Sequence, residues 1–341
     1  MNGRVTLDDL ASALGLSKFS ISRALSGKPG VSARTRERIV QTAREMGYNH
    51  AAIREASPPG ARDIRLIIPS ADAIKSSFWI EVIDGAETEA RRLGYSLTTL
   101  VIGGEGEPEA PPSGHVAGLI LAGRRSRGVL EPYIRLPIPK VLIGHPRPME
   151  MIDSVQSANF DGGFAAGKLL SDNGHRRVAF FTDAPEDEGR NLRHAGLVES
   201  MRLCGGEVKI FSFAETSEAR AMALSAVKDE FRPTAFACAT DFVAITLAWG
   251  LLELGLQVPN LISVIGSNDS QTATSLGLKL TTIRQSVTEI GGIAIQMLHW
   301  RLHAAAPDAR PRRMLLTPEM IERTTHGPCN EEALKRAVEA L

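Results

Sequence analysis

The chain has 341 residues, with 39 basic and 39 acidic side chains and a formal net charge of zero. That balance excludes a uniformly basic nucleic-acid coat and an acidic disordered tail, and 43% hydrophobic with 23% charged residues is ordinary globular composition. At roughly 150 residues per domain, the length predicts about two to three domains. No run approaches the ~18 apolar residues of a membrane span. Asp8 and Asp9 stand where a signal peptide would place its apolar region. A cytoplasmic chain with no membrane association is expected. Cys204, Cys238 and Cys329 are far apart, so neither a disulfide framework nor a cysteine zinc site is expected. No metal or other cofactor is expected either.

Residues 1–60 hold nine basic and five acidic side chains, so this head carries +4 and the remaining body −4. A basic head on an acidic body points to nucleic acid at the head. Thr6-Leu7-Asp8-Asp9 has the capping-box pattern, and Leu7, Leu10, Ala11 and Leu14 follow at helical spacing up to Gly15. Ser17 caps a second helix with Ile21, Ala24 and Leu25 inward and Lys18, Phe19, Ser22 and Arg23 outward. Ser26–Gly30 is a loop by composition. Ser32 caps a third helix with Ile39, Val40, Ala43 and Met46 inward, closed by Gly47. Two short helices joined at a glycine turn, then a supporting helix, describe a helix-turn-helix whose second helix enters the major groove.

These blocks, Val5–Ala11, Gly15-Leu16-Ser17, Ile21–Leu25, Val31–Arg36 and Gly47-Tyr48, resemble the headpiece of the lactose-repressor (LacI/GalR) family of regulators. The resemblance places Lys18 and Phe19 at the variable base-reading positions and Arg23 at a base-edge arginine, and makes Thr6, Ser17, Ser22, Ser32 and Thr35 DNA-contact candidates. An aromatic edge at Phe19 can meet a thymine methyl; its other reading is packing within the head. Relatives follow this block with a short helix that wedges a leucine into the minor groove. Here the matching position falls on Ala56 or Ser57, followed by Pro58 and Pro59, with Ile53 one turn too early. Weaker operator bending is expected, with Arg54 reaching the minor groove as a charge.

From residue 63 the pattern changes to alternating strands and helices. Ile64–Pro69, Ser96–Ile102, Val116–Leu121, Lys140–Gly144, Arg177–Thr182, Val208–Phe213, Thr234–Ala239 and Ile262–Gly266 read as strands. Trp79–Leu93, Asp161–Leu170, Asn191–Cys204, Ser217–Glu230, Phe242–Leu254 and Val287–Leu302 read as helices. This rhythm argues about two parallel α/β sheets, which bind ligands beyond the carboxyl ends of their strands. Gly103–Gly114, with four glycines and three prolines, reads as a flexible loop. Glu331–Leu341 reads as a helix packing on its own body, or a coiled-coil segment of under two heptads.

The resemblance continues through Asp161-Gly162, Asn173–Arg177, Arg193–Gly196, Thr240-Asp241, Ile265–Asp269 and Leu280–Ile283. It implies an α/β core of two similar parallel-sheet subdomains, periplasmic-binding-protein-like of type I, preceded by the all-α headpiece. The implied map is a headpiece at 1–48, a hinge linker at 49–62, a core at 63–328 and a tail at 329–341. The core divides into an N-subdomain of about 63–160 plus 288–318 and a C-subdomain of about 161–287 plus 319–328. The resemblance implies effector contacts at Asp161, Arg193, Thr240 and Asn268. Asp161 accepts from adjacent hydroxyls, Arg193 donates two parallel bonds, and Asn268 does both. Phe213, and Phe78 or Trp79, are candidates to stack on a sugar face; for Phe213 a core role is the equal alternative. Where Asn268 stands, relatives usually carry an acid. With Arg190, Arg193 and His194 close in sequence, a sugar acid or sugar phosphate joins the neutral sugars as a candidate ligand.

The expected function is a homodimeric regulator, a repressor, that binds a palindromic operator under control of a small polar effector. The alternative is a small-molecule-binding module with a degenerate head. An enzyme is not expected: the chain has no G-x-S-x-G, H-E-x-x-H or P-loop.

Overall fold

The α/β rhythm resolves into two six-stranded sheets in a computed structural model, which describes residues 7–18, 20–21, 31–46, 63–69, 77–102, 116–122, 127–213, 218–275, 277–303 and 310–341. In the head, α1 (Leu7–Leu14) ends at Gly15, whose φ of 65° lies in the left-handed region, and α2 (Ala33–Glu45) comes later in the chain. The Ser17 hydroxyl accepts from the Ser20 amide at 3.1 Å, and the Ser32 hydroxyl from the Thr35 amide at 3.2 Å. Leu10, Leu14, Ile21, Ile39 and Ala43 form the head's core, on the phases that the spacing predicts.

The first lobe of the body is built on β1 (Asp63–Pro69), β2 (Ser96–Ile102), β3 (Gly118–Ala122), β4 (Lys140–Ile143), β5 (Asp153–Ser157) and β11 (Arg313–Leu316). Their order is β2-β1-β3-β4-β5-β11, and the registers from β1 through β11 are parallel. Helices α3 (Ser77–Leu93), α4 (Arg127–Ile134) and α10 (Val287–His303) belong to it. The second lobe carries β6 (Arg177–Thr182), β7 (Glu207–Ser212), β8 (Ala235–Cys238), β9 (Ser263–Asn268), β10 (Thr281–Arg284) and β12 (Glu319–Ile321), ordered β7-β6-β8-β9-β10-β12. All its pairings are parallel except β10 with β12. Its helices are α5 (Asn159–Asp172), α6 (Glu188–Leu203), α7 (Ala219–Val227), α8 (Asp241–Glu253) and the short α9 (Thr272–Ser275). The two sheets share one strand permutation, and the chain passes between them at residue 158, at 285–286 and at 317–318.

Glycine sets how closely α5 and α6 pack. A Cβ on Gly163 would overlap the Arg193 carbonyl, and one on Gly196 the Phe160 carbonyl. The helices therefore meet backbone to backbone. The tail forms α11 (Glu331–Glu339), capped by Asn330. Leu334 is buried in the second lobe's core, with Ala337 and Val338 against it. The tail helix packs on its own body.

Several elements depart from the sequence reading. Helix α4 contains Pro132, which masks the helical pattern. Strand β5 reads Asp-Ser-Val-Gln-Ser yet is largely buried, because Asp153 takes its partners inside the protein: Arg301 Nε at 2.8 Å and the Arg312 amide at 2.7 Å. Strands β10, β11 and β12 have only three or four residues each and are held by register with their neighbours. The loop expected at Gly103–Gly114, the hinge at 49–62 and its wedge position lie outside the described residues. No helix among the described residues is long and apolar enough to cross a membrane.

Candidate functional site

Polar side chains collect where the strands of both sheets end. His145 follows β4, Asn159 follows β5, Asp183 follows β6, Thr240 follows β8, Asn268 ends β9 and Gln285 follows β10. Parallel sheets direct these ends to one side, where such folds hold ligands.

Asn159 stands at the centre. Its Oδ1 accepts from Arg193 Nε at 2.8 Å, and its Nδ2 donates to the Ser157 carbonyl at 3.1 Å and to His145 Nε2 at 3.2 Å. The donor chemistry fixes the amide's orientation. A guanidinium only donates and a carbonyl only accepts. The amide NH2 thus faces His145 Nε2. A chain of hydrogen bonds runs from Arg193 in the second lobe to His145 in the first. Arg193 also donates from Nη1 to the Ala239 carbonyl. A small cavity beside it is lined by Phe180, Ala237, Cys238, Ser267 and Ile283.

Asp161 is exposed in the first turn of α5, two residues beyond Asn159. Arg193 is held by an amide oxygen, from Asn159, and by a backbone carbonyl, from Ala239. Thr240 caps α8, its hydroxyl accepting from the Val243 amide at 3.3 Å. Asn268 has a φ of 116°, a conformation seldom adopted outside glycine, and its Oδ1 accepts from Gln285 Nε2 at 3.2 Å. Beneath it, the buried Asp241 accepts from Thr282 Oγ1 at 2.5 Å and the Ser270 amide at 2.6 Å. Burial outweighs these bonds and raises its carboxyl pKa. On the first lobe's side, burial and then the charge of Asp269 raise the Glu81 pKa.

Two aromatic candidates take other roles. Trp79 is 2% exposed in the first lobe's core, edge-on to Phe78 with centroids 5.0 Å apart. The phase of α3 sends Trp79, Val82, Ala86 and Ala90 inward. Trp79 is therefore corrected from a ligand contact to a core residue. Phe78 is partly buried against the same core. Phe213 packs against the second lobe's core, 6.3 Å from the Phe181 ring. The positive cluster is also corrected. Arg190 is buried and ion-paired with Asp183. His194 lies against Phe180 at 5.1 Å, and burial lowers its pKa.

Of the DNA-contact candidates, Ser17, Lys18 and Ser32 are exposed and Thr35 is half-buried. Thr6, Phe19, Ser22, Arg23 and Arg54 lie outside the described residues. Sequence reasoning missed His145, Asn159 and Gln285. The only sequence signal was their place just after predicted or short strands. Among the described residues no cluster of histidine, cysteine or acidic side chains has a metal-holding arrangement.

Residues 6–50 match the family of bacterial regulatory proteins, lacI family, and residues 168–326 match a periplasmic binding protein-like domain. The chain is 26% identical over 336 residues to the HTH-type transcriptional repressor PurR of Mannheimia succiniciproducens, covering 93% of this chain and 97% of that one. Two solved structures are similar in fold. One is the lac repressor dimer bound to operator and the anti-inducer ONPF, with TM-score 0.70, 21% identity and coverage of 95% and 100%. The other is the transcriptional regulator CelR–cellobiose complex, with TM-score 0.68, 23% identity and coverage of 94% and 100%.

Proposed function

For this member of the lacI family, a DNA-binding transcriptional regulator with a periplasmic-binding-protein-like ligand domain, we propose a repressor whose grip on a palindromic operator is set by a sugar or sugar derivative bound between the two lobes. The observation that carries the reading is the hydrogen-bond chain Arg193–Asn159–His145, which begins at a candidate ligand contact in one lobe and ends in the other. A ligand that engages Arg193 biases the lobes' arrangement, and a regulator needs such differential binding to two conformations. The cellobiose complex of a structural neighbour supports the sugar class.

Asp161, Arg193, Thr240 and Asn268 supply the acceptors and donors a hydroxyl-rich ligand needs. With Arg190 neutralised by Asp183, a neutral sugar fits better than a sugar acid or phosphate. In this reading the headpiece at 1–48 takes the DNA, the core at 63–328 takes the ligand, and the hinge at 49–62 connects the two. The homodimer reading is supported by α8. It carries no charged residue from 242 to 252, and it leaves Phe242 at 61% and Trp249 at 42% exposure. A helix apolar on every side is normally covered.

Native mass spectrometry of the full chain, looking for a retained small molecule, tests the ligand. Asp161→Ala and Arg193→Ala should each abolish its binding by calorimetry and leave operator binding intact. Unchanged ligand affinity in both variants refutes the site. A ranking of acidic sugars above their neutral parents refutes the neutral-ligand preference.

A further inference from the structure

We propose that the strand-start edge of the first lobe is a second DNA-contact surface, binding backbone phosphates through Arg310, Arg312 and Arg313. This rests on the reading of the head as DNA-binding.

The sequence Arg310-Pro311-Arg312-Arg313 leads into β11. The registers Ile64 with Gly118, Leu119 with Lys140, Val141 with Asp153 and Arg313 with Ser154 put the starts of β1, β3, β4, β5 and β11 on one edge. Arg313 lies four strands from β1, about 19 Å at ~4.8 Å per strand. The chain arriving from the head enters the sheet at β1, on this same edge.

The charges here are not spent internally. Asp153, the buried acid of this edge, is taken by Arg301 at 2.7 Å and by the Arg312 amide. Arg310, Arg312 and Arg313 are exposed, and among the described residues none has an ion pair. In a body of net charge −4 such a cluster is not background. Arg312 is also pre-set, its guanidinium 3.7 Å from the Trp300 ring centroid. A stacked guanidinium keeps its edge donors for a bidentate phosphate contact and loses less side-chain freedom on binding.

The tether favours nucleic acid over an acidic protein. Fourteen linker residues, 49–62, span at most about 49 Å fully extended. Once the head is on a duplex, this edge meets the same duplex at a high effective concentration, and contacts too weak to act alone become productive.

The test uses the full chain and a duplex recovered by it from a random-sequence pool. Affinity is measured by fluorescence anisotropy from 50 to 200 mM KCl. Each lost phosphate contact flattens the log–log salt slope by about 0.9. R310A/R313A should flatten it by about 1.8 per body and about 3.6 for two bodies on a palindrome. The ratio of wild-type to variant affinity should then change on the order of 10²-fold across that salt range. R310K/R313K should keep most of the slope, and the exposed single variant Arg310→Glu should lose affinity with an unchanged melting temperature. Wild-type slopes in R310A/R313A and Arg310→Glu overturn the proposal and leave the edge to an acidic protein partner. A wild-type chain that recovers no duplex removes the DNA reading of the head, and this proposal with it.

Discussion

Gly196→Ala sets two known effects against each other. Alanine in place of glycine inside a helix gains about 1 kcal/mol in propensity. At this position the new Cβ would overlap the Phe160 carbonyl and lie 2.8 Å from the Phe164 amide nitrogen, against an ordinary contact of 3.4–4 Å. The neighbouring atoms are backbone, so α5 and α6 must separate by at least about 0.6 Å. Overpacking of this kind costs about 1–3 kcal/mol or more, and the clash should win. The urea midpoint of the body is expected to fall at unchanged m-value, the signature of lost stability. Gly163→Ala strains the same interface from the other side, its Cβ 2.9 Å from Arg193 Cα. Once one methyl has opened the interface the second enters for less, so the double variant should cost less than the sum, by about 0.5 kcal/mol or more. Ligand affinity should fall with stability, because the two helices hold Asn159 and Arg193 at 2.8 Å. Wild-type stability in Gly196→Ala, or strict additivity in the double variant, would refute the close-packing argument.

His175 is buried between Thr234 Oγ1 at 2.9 Å and Ser263 Oγ at 3.0 Å, and burial lowers its pKa from the ordinary 6.5. The unfolded chain then takes up the proton first as the pH falls. The residue's stabilisation is complete above ~6.5 and is lost as the pH drops through the lower folded value, with about 1.4 kcal/mol at stake for every pH unit that separates the folded and unfolded pKa. Denaturation midpoints between pH 8 and 5 should fall more steeply in the wild type than in His175→Gln, and parallel curves would refute it. Arg301→Ala should cost about 3–5 kcal/mol by leaving the buried Asp153 without its charge partner; thermal melting checks this, and a loss under about 1 kcal/mol would count against it. Arg23→Ala should cost about 1–3 kcal/mol on the operator and relax preference at one base pair. Equal losses on operator and random duplex would reassign Arg23 to phosphate contact.

The strands that stood out in the sequence are those whose burial uses apolar side chains. Arg177–Thr182 carries Val178, Ala179, Phe180 and Phe181, all buried, and its bounds coincide in sequence and structure. Strand β5 is buried too, but its Asp153, Ser154 and Ser157 sit among groups far along the chain, and Asp153 is satisfied by one of them, Arg301. No local periodicity reports such partners. Trp79 shows the converse. Its residue type suited a stacking platform, but one helical position decides between cleft and core, and the run Trp79, Val82, Ala86 and Ala90 already held that answer.

At the site the sequence does not report which acceptor each arginine meets. Arg190 meets the carboxylate of Asp183, and Arg193 meets the amide oxygen of Asn159. The physical difference is large. Asp183 accepts from Arg190 and cancels its charge before any ligand arrives. An amide oxygen carries no charge, so Asn159 orients the Arg193 guanidinium without itself cancelling it. Two arginines three residues apart on α6 therefore do different work, and the acceptor each one meets decides which. Asn159→Asp would convert the second case into the first. The variant should keep the fold, since the aspartate retains the oxygen that Arg193 needs. It should also reverse the His145 bond, because a carboxylate can only accept and Nε2 must then carry the proton. Ligand affinity and the operator response should both fall in Asn159→Asp, measured by calorimetry and by operator titration with and without ligand. An unchanged response would show that the chain from Arg193 to His145 carries no coupling between the lobes.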